Sequence, residues 1–166
     1  MDIVSENNFD YYLEKSAFDD FQKPMPWEED YDDANDLFLT ALIIEDNSIK
    51  EGKIERVMKK IGSFEIDLAR TLEDAIEKIG NMKELGLPYD VIISDMWYPM
   101  YPGSSDNQSG MDFIKWMHDQ KDKTPIIICS SIKYQIPEIY GAIQYKEESN
   151  WEMELIKLLK NLDTWE

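Results

Sequence analysis

The chain has 166 residues, 43% hydrophobic and 12% aromatic, enough for one domain with a proper core. Its 35 Asp and Glu against 17 Lys and Arg give a formal charge of −18. That charge argues against binding to nucleic-acid phosphates and against docking on an anionic membrane. The single cysteine, Cys129, rules out an internal disulfide framework. The chain lacks both a signal-peptide pattern and an apolar run of about 18 residues, so a soluble, cytoplasmic protein is expected.

The acid is concentrated at the start. Residues 1–36 hold 12 acidic residues against Lys15 and Lys23, interleaved with aromatics such as Tyr11, Tyr12, Phe18, Phe21 and Trp27. The expectation is an acidic aromatic extension over 1–37, with a short helix stopped by Pro24 and Pro26, ahead of one domain over 38–166.

From residue 39 the pattern alternates. LTALII (39–44) reads as a buried strand. Ser48 with Glu51 predicts a capping box, and Ile54, Val57, Met58 and Ile61 give the following helix one apolar face, ended by Gly62. FEIDLA (64–69) alternates as a half-buried strand. Thr71 with Asp74 predicts a second capping box before a helix carrying Leu72, Ala75, Ile76, Ile79 and Met82. DVIISD (90–95) is a further apolar strand, followed by a loop rich in Pro, Gly and Ser to Ser109. Residues 111–120 read as a helix with Ser109 near its N-cap. PIIIC (125–129) and GAIQY (141–145) read as strands, and Trp151, Leu155, Leu158, Leu159 and Leu162 line a last helix.

Strands alternating with helices predict an α/β fold with a doubly wound, five-stranded parallel sheet. In such sheets the chemistry lies at the carboxyl ends of the strands. Glu45 and Asp46, Asp95, Ser130 with Ser131, and Lys146 all fall there. Three carboxylates in one crevice repel one another unless a cation joins them, and oxygen ligands of this kind suit Mg²⁺.

These blocks, LIIEDNS at 42–48, VIISDMWYP at 91–99, Gly110, IIICSS at 126–131 and QYK at 144–146, resemble the receiver domain of two-component response regulators over roughly residues 38–163. The resemblance implies a flavodoxin-like receiver fold and a response regulator, here expected to be single-domain. It makes Asp95 the phospho-acceptor, Ser130 the hydroxyl that contacts the phosphoryl group and Lys146 its basic partner. It assigns Mg²⁺ to Glu45, Asp46, Asp95 and the Trp97 carbonyl. The implied partners are a histidine kinase or phosphotransfer protein and a downstream protein target; a homodimer is left open.

Four residue patterns depart from the family. The glycine usually eight residues after the acceptor stands fifteen after it, at Gly110, so about seven extra residues lie within 100–109. Residues 131–140 are short for a helical crossover and contain Pro137, so the fourth helix is expected to be shortened or replaced by a loop. Glu147 replaces the usual proline, making a cis bond after Lys146 unfavourable. Ile143 occupies the aromatic switch position, with Tyr145 beside the lysine. A phosphorylation-independent pseudo-receiver serving as adaptor or scaffold is therefore the competing reading. A phosphohydrolase is disfavoured because Trp97 stands where its second acid belongs. A DNA-mimicking inhibitor is suggested by net charge alone. His118 reads as a surface residue and Cys129 as core.

Overall fold

The computed structural model describes residues 37–165. The expected extension over 1–37, including its short helix, lies outside them except for Leu37.

Five parallel strands form the sheet: β1 (Leu37–Ile44), β2 (Gly62–Ala69), β3 (Val91–Ser94), β6 (Ile126–Ser130) and β7 (Gly141–Gln144), in the order β2-β1-β3-β6-β7. The helices are α1 (Ser48–Ile61), α2 (Leu72–Glu84), α3 (Ser109–Asp119) and α4 (Trp151–Lys160), followed by a 3₁₀ turn at Leu162–Thr164. The α2–α3 pair packs together, as does the α1–α4 pair. This is the doubly wound architecture expected from the alternating pattern, with the strand order of the flavodoxin-like folds.

The central strands β1, β3 and β6 carry apolar residues on both faces because helices cover both sides. Leu42, Ile44, Ile92 and Ile128 join Ala75 and Ile79 of α2 and Phe113 and Met117 of α3 in one buried cluster. Strand alternation turns Ala41 and Ile43, both fully buried, toward the other face. Edge strand β2 is only half-buried along most of its length, matching its alternating sequence.

Local capping refines two boundaries. The cap of α1 is Asn47, not Ser48: its Oδ1 accepts from the amides of Ile49 and Lys50, both at 3.0 Å. Asparagine caps as well as serine, and being one residue earlier it takes the two orphan amides first. Thr71 caps α2 as expected, its Oγ1 accepting from the Asp74 amide at 3.1 Å. Ser109 lies beside the α3 cap position, Gln108, as expected, but does not itself serve as the cap. It is buried, and its hydroxyl donates to the Tyr98 carbonyl at 2.6 Å.

The insertion folds back on itself. Tyr98–Pro99 (β4) pairs antiparallel with Asp106–Asn107 (β5), and Gly103 at φ +87° turns the chain between them. Between Ser130 and Gly141 no helix forms, and residues 131–140 run as turns and irregular chain. The bond after Lys146 is trans.

An ion pair ties the end of α2 to the loop after α3, with Lys83 Nζ 2.6 Å from Asp122 Oδ2. Burial raises the Asp122 pKa, but the paired Lys83 ammonium and hydrogen bonds from the Thr124 hydroxyl and amide outweigh it and hold the carboxyl below its ordinary range. A depressed folded-state pKa gives stability that is complete above the unfolded value of 3.8 and is lost as pH falls through the folded one. Melting curves of wild type and Asp122→Asn should therefore differ at neutral pH and converge below that value. A gap that persists unchanged in acid would contradict this assignment.

Candidate phosphoryl-acceptor site

The carboxyl end of the sheet gathers the acids. One oxygen each from Glu45, Asp46 and Asp95 lie within 4.8 Å of one another. Glu45 and Asp46 follow β1, and Asp95 follows β3 beside it. The Asp95 amide donates to the Ile44 carbonyl at 3.0 Å, which fixes the end of β3 against the acid pair.

Asp95 is partly exposed, with 16% of its side chain accessible. Its Oδ1 accepts from the Met96 amide at 2.7 Å, while Oδ2 receives no hydrogen bond among the described residues. Ser94 donates to the Asp95 carbonyl at 2.7 Å. Gly110, at the start of α3, donates its amide to Met96 at 2.9 Å and so braces the same loop from below.

Glu45 is buried, and burial pushes its pKa up to about 7, against the opposing charge of Lys50 and with added repulsion from Asp95. Its Oε2 accepts from the Asn47 amide at 3.1 Å. Its Oε1 sits 2.9 Å from the Lys50 ammonium but has no donor aligned for a hydrogen bond, so the contact is an ion pair alone. Asp46 is exposed; burial of its carboxylate first and the charge of Asp106 second raise its pKa. Asp106 belongs to the inserted hairpin, so the insertion adds a fourth acid to the crevice.

Lys50 was not foreseen. Its ammonium lies 2.9 Å from Glu45 Oε1 and 3.4 Å from Asp95 Oδ1, and donates to the Cys129 carbonyl at 2.6 Å. The Tyr145 ring lies 5.1 Å away. Burial disfavours its charge, but Glu45 and Asp95 outweigh that and raise its pKa. The sequence held one clue: a cation in the first turn of a helix opposes the macrodipole and calls for a compensating acid.

The other expected residues lie as follows. Ser130 is buried at the end of β6, and its carbonyl accepts from the Tyr145 amide at 2.7 Å; its hydroxyl makes no hydrogen bond to Asp95. Trp97 is 44% exposed and its indole donates to the Tyr134 hydroxyl at 3.3 Å. Lys146 is exposed, and among the described residues its ammonium has no carboxylate within ion-pair distance. Its backbone bonds instead to the Ser149 hydroxyl. Cys129 is buried with its thiol pushed up to about 12, a core residue as expected, and His118 is exposed.

An open parallel sheet with a partly exposed aspartate, two neighbouring acids and an ammonium at its carboxyl edge defines a doubly wound α/β domain with an acidic crevice. The family model for the response regulator receiver domain matches residues 41–146, and the chain belongs to that family. Solved structures agree on the fold. A LuxR-family DNA-binding response regulator from Staphylococcus aureus superposes with TM-score 0.57 at 19% identity, over 75% of this chain and 98% of that one. The RcsB response regulator of Salmonella typhimurium gives 0.57 at 18%, over 76% and 61%. The response regulator PhyR of Brucella abortus gives 0.54 at 18%, over 90% of this chain and 56% of that one. Comparison with curated proteins finds no match. Among the described residues no helix is long and apolar enough to cross a membrane.

Proposed function

We propose that the chain accepts a phosphoryl group on Asp95 from a phospho-histidine donor, with Mg²⁺, and passes the signal on by protein contact. The observation that carries this reading is the meeting of Glu45, Asp46 and Asp95 within 4.8 Å at an open crevice. The donor set suits a divalent cation. The acids outnumber the one ammonium, Lys50, that pairs with them, and the buried Glu45 Oε1 lacks a hydrogen-bond donor. Glu45, Asp46, Asp95 and the Trp97 carbonyl would hold Mg²⁺, which supplies charge neutralisation for phosphoryl transfer. Asp95 Oδ2, free of hydrogen bonds, is the oxygen available to phosphorus. The donor would be a histidine kinase or phosphotransfer protein, and the setting the cytoplasm.

The test is incubation with acetyl phosphate and Mg²⁺ followed by intact mass. Wild type should gain one phosphoryl group, and Asp95→Asn or added chelator should give none. Persistent labelling of Asp95→Asn would refute Asp95 as acceptor.

A second reading, a phosphorylation-independent adaptor, is favoured by two features: the missing helix between β6 and β7, and Lys50 already neutralising Asp95 at 3.4 Å. It predicts that wild type gains no mass with acetyl phosphate or any other small donor.

A further inference from the structure

We propose that Lys50, from the first turn of α1, is the cation that meets the phosphoryl group on Asp95, and that Lys146 takes no part. The inference rests on the acceptor reading above and assigns the charge that this reading needs.

The backbone decides between the two lysines. Side chains alternate along and just beyond a strand. After β7 it is Tyr145 that turns inward, its ring 5.1 Å from the Lys50 ammonium and 4.8 Å from the Trp151 ring. Lys146, one residue on, faces solvent in a turn closed by the Ser149 hydroxyl. The inward place after β7 is thus filled by an aromatic ring, and the Lys50 ammonium lies over it while reaching Asp95 Oδ1 at 3.4 Å.

Lys50 is held rather than merely near. Asn47 caps α1 and takes the Lys50 amide, which sets the helix start. The ammonium is then fixed by the Cys129 carbonyl, Glu45 and Asp95, with only 11% of the side chain exposed. A cation at the N-terminal turn works against the helix dipole. Its retention there is explained by the two carboxylates, one of which is the acceptor.

In the reaction, Asp95 Oδ2 attacks phosphorus in line and an O–P bond forms. The bond from phosphorus to the donor's imidazole nitrogen breaks, the electron pair leaves with that nitrogen, and the ring takes a proton from solvent. With acetyl phosphate the leaving group is acetate and needs no proton. Lys50 stays an ammonium throughout. It loses part of its contact with Asp95 Oδ1 and gains a phosphoryl oxygen, so the positive charge is in place before the negative charge arrives.

The experiment measures labelling by acetyl phosphate and Mg²⁺ affinity by calorimetry on the full chain, with far-UV dichroism to confirm folding. Lys50→Met should label about a hundredfold more slowly while binding Mg²⁺ at least as tightly as wild type, because a competing cation has gone. Lys50→Arg should recover much of the rate, and Lys146→Ala should label like wild type. Lys50→Gln, which keeps a polar head, carries the test should the methionine variant fail to fold. Wild-type rates in these Lys50 variants, a parallel fall in Mg²⁺ affinity, or loss of labelling in Lys146→Ala would overturn the proposal. Absence of label in wild type would instead remove the acceptor reading, and Lys50's role with it.

Discussion

Gly110→Ala is expected to lower stability by about 2 kcal/mol and to slow phosphoryl acceptance, although alanine is the better helix former. A Cβ at position 110 would sit 2.7 Å from the Asp95 carbonyl oxygen, 2.8 Å from Met96 Cα and 3.0 Å from Met96 Sδ. Two of these atoms are backbone. Relief must therefore come from moving either α3 or the acceptor loop, and the Gly110 amide to Met96 carbonyl bond joins the two. Gly80 of α2 is the control. A Cβ there meets nothing within 4 Å, so Gly80→Ala should raise stability by about 0.5–1 kcal/mol. Urea unfolding of both variants reads the signs. Two stabilising results would show that the close approach at Gly110 is easily relieved.

That close approach also shows what could be read in advance. Gly110 entered the sequence reading only as a displaced family glycine; the reason for it is three-dimensional, since its neighbours are 14 and 15 residues earlier. The sheet, by contrast, was legible because its evidence is local. Apolar runs such as IIIC at 126–129 have length and flanks that only a buried strand fits. The parallel sense of the strands followed from their alternation with helices. Glu45, Asp46 and Asp95 were legible because a parallel sheet delivers residues after its strands to one edge.

The misses share a cause. Two-residue strands containing Pro99 carry no periodic signal, so the β4–β5 hairpin, with Asp106 beside Asp46, read as a loop. Asn47 against Ser48 is a choice between two good caps one residue apart, decided by which amides each can reach. Lys50, which lies at 2.9 Å from Glu45 and 3.4 Å from Asp95, was not singled out, whereas Lys146 was. The place of Lys50 in the crevice depends on a contact no local pattern carries, the Cys129 carbonyl at the end of a strand 79 residues away. The missing helix at 131–140 was foreseen because the count itself forbids it: about a dozen residues are needed for a helical crossover.

Phe113→Ala should cost more than any substitution at the crevice, about 3–5 kcal/mol, a large fraction of a domain's usual 5–15 kcal/mol. Phe113 is fully buried, its ring lies in the same cluster as Met96, Tyr98 and Ile128, and it stacks on Trp116 at 6.4 Å. Truncation leaves a cavity beneath the acceptor loop that the rigid strand ends cannot collapse to fill. The loop itself keeps its backbone bonds, from Asp95 to Ile44 and from Gly110 to Met96. Below its lowered melting point the variant should therefore label at a rate close to wild type, whereas Gly110→Ala, with the smaller energetic cost, should not. Denaturant midpoints and labelling rates taken on the same samples decide the matter. If Phe113→Ala slows labelling while fully folded, the acceptor's geometry depends on the apolar packing under it and not on the backbone bonds alone.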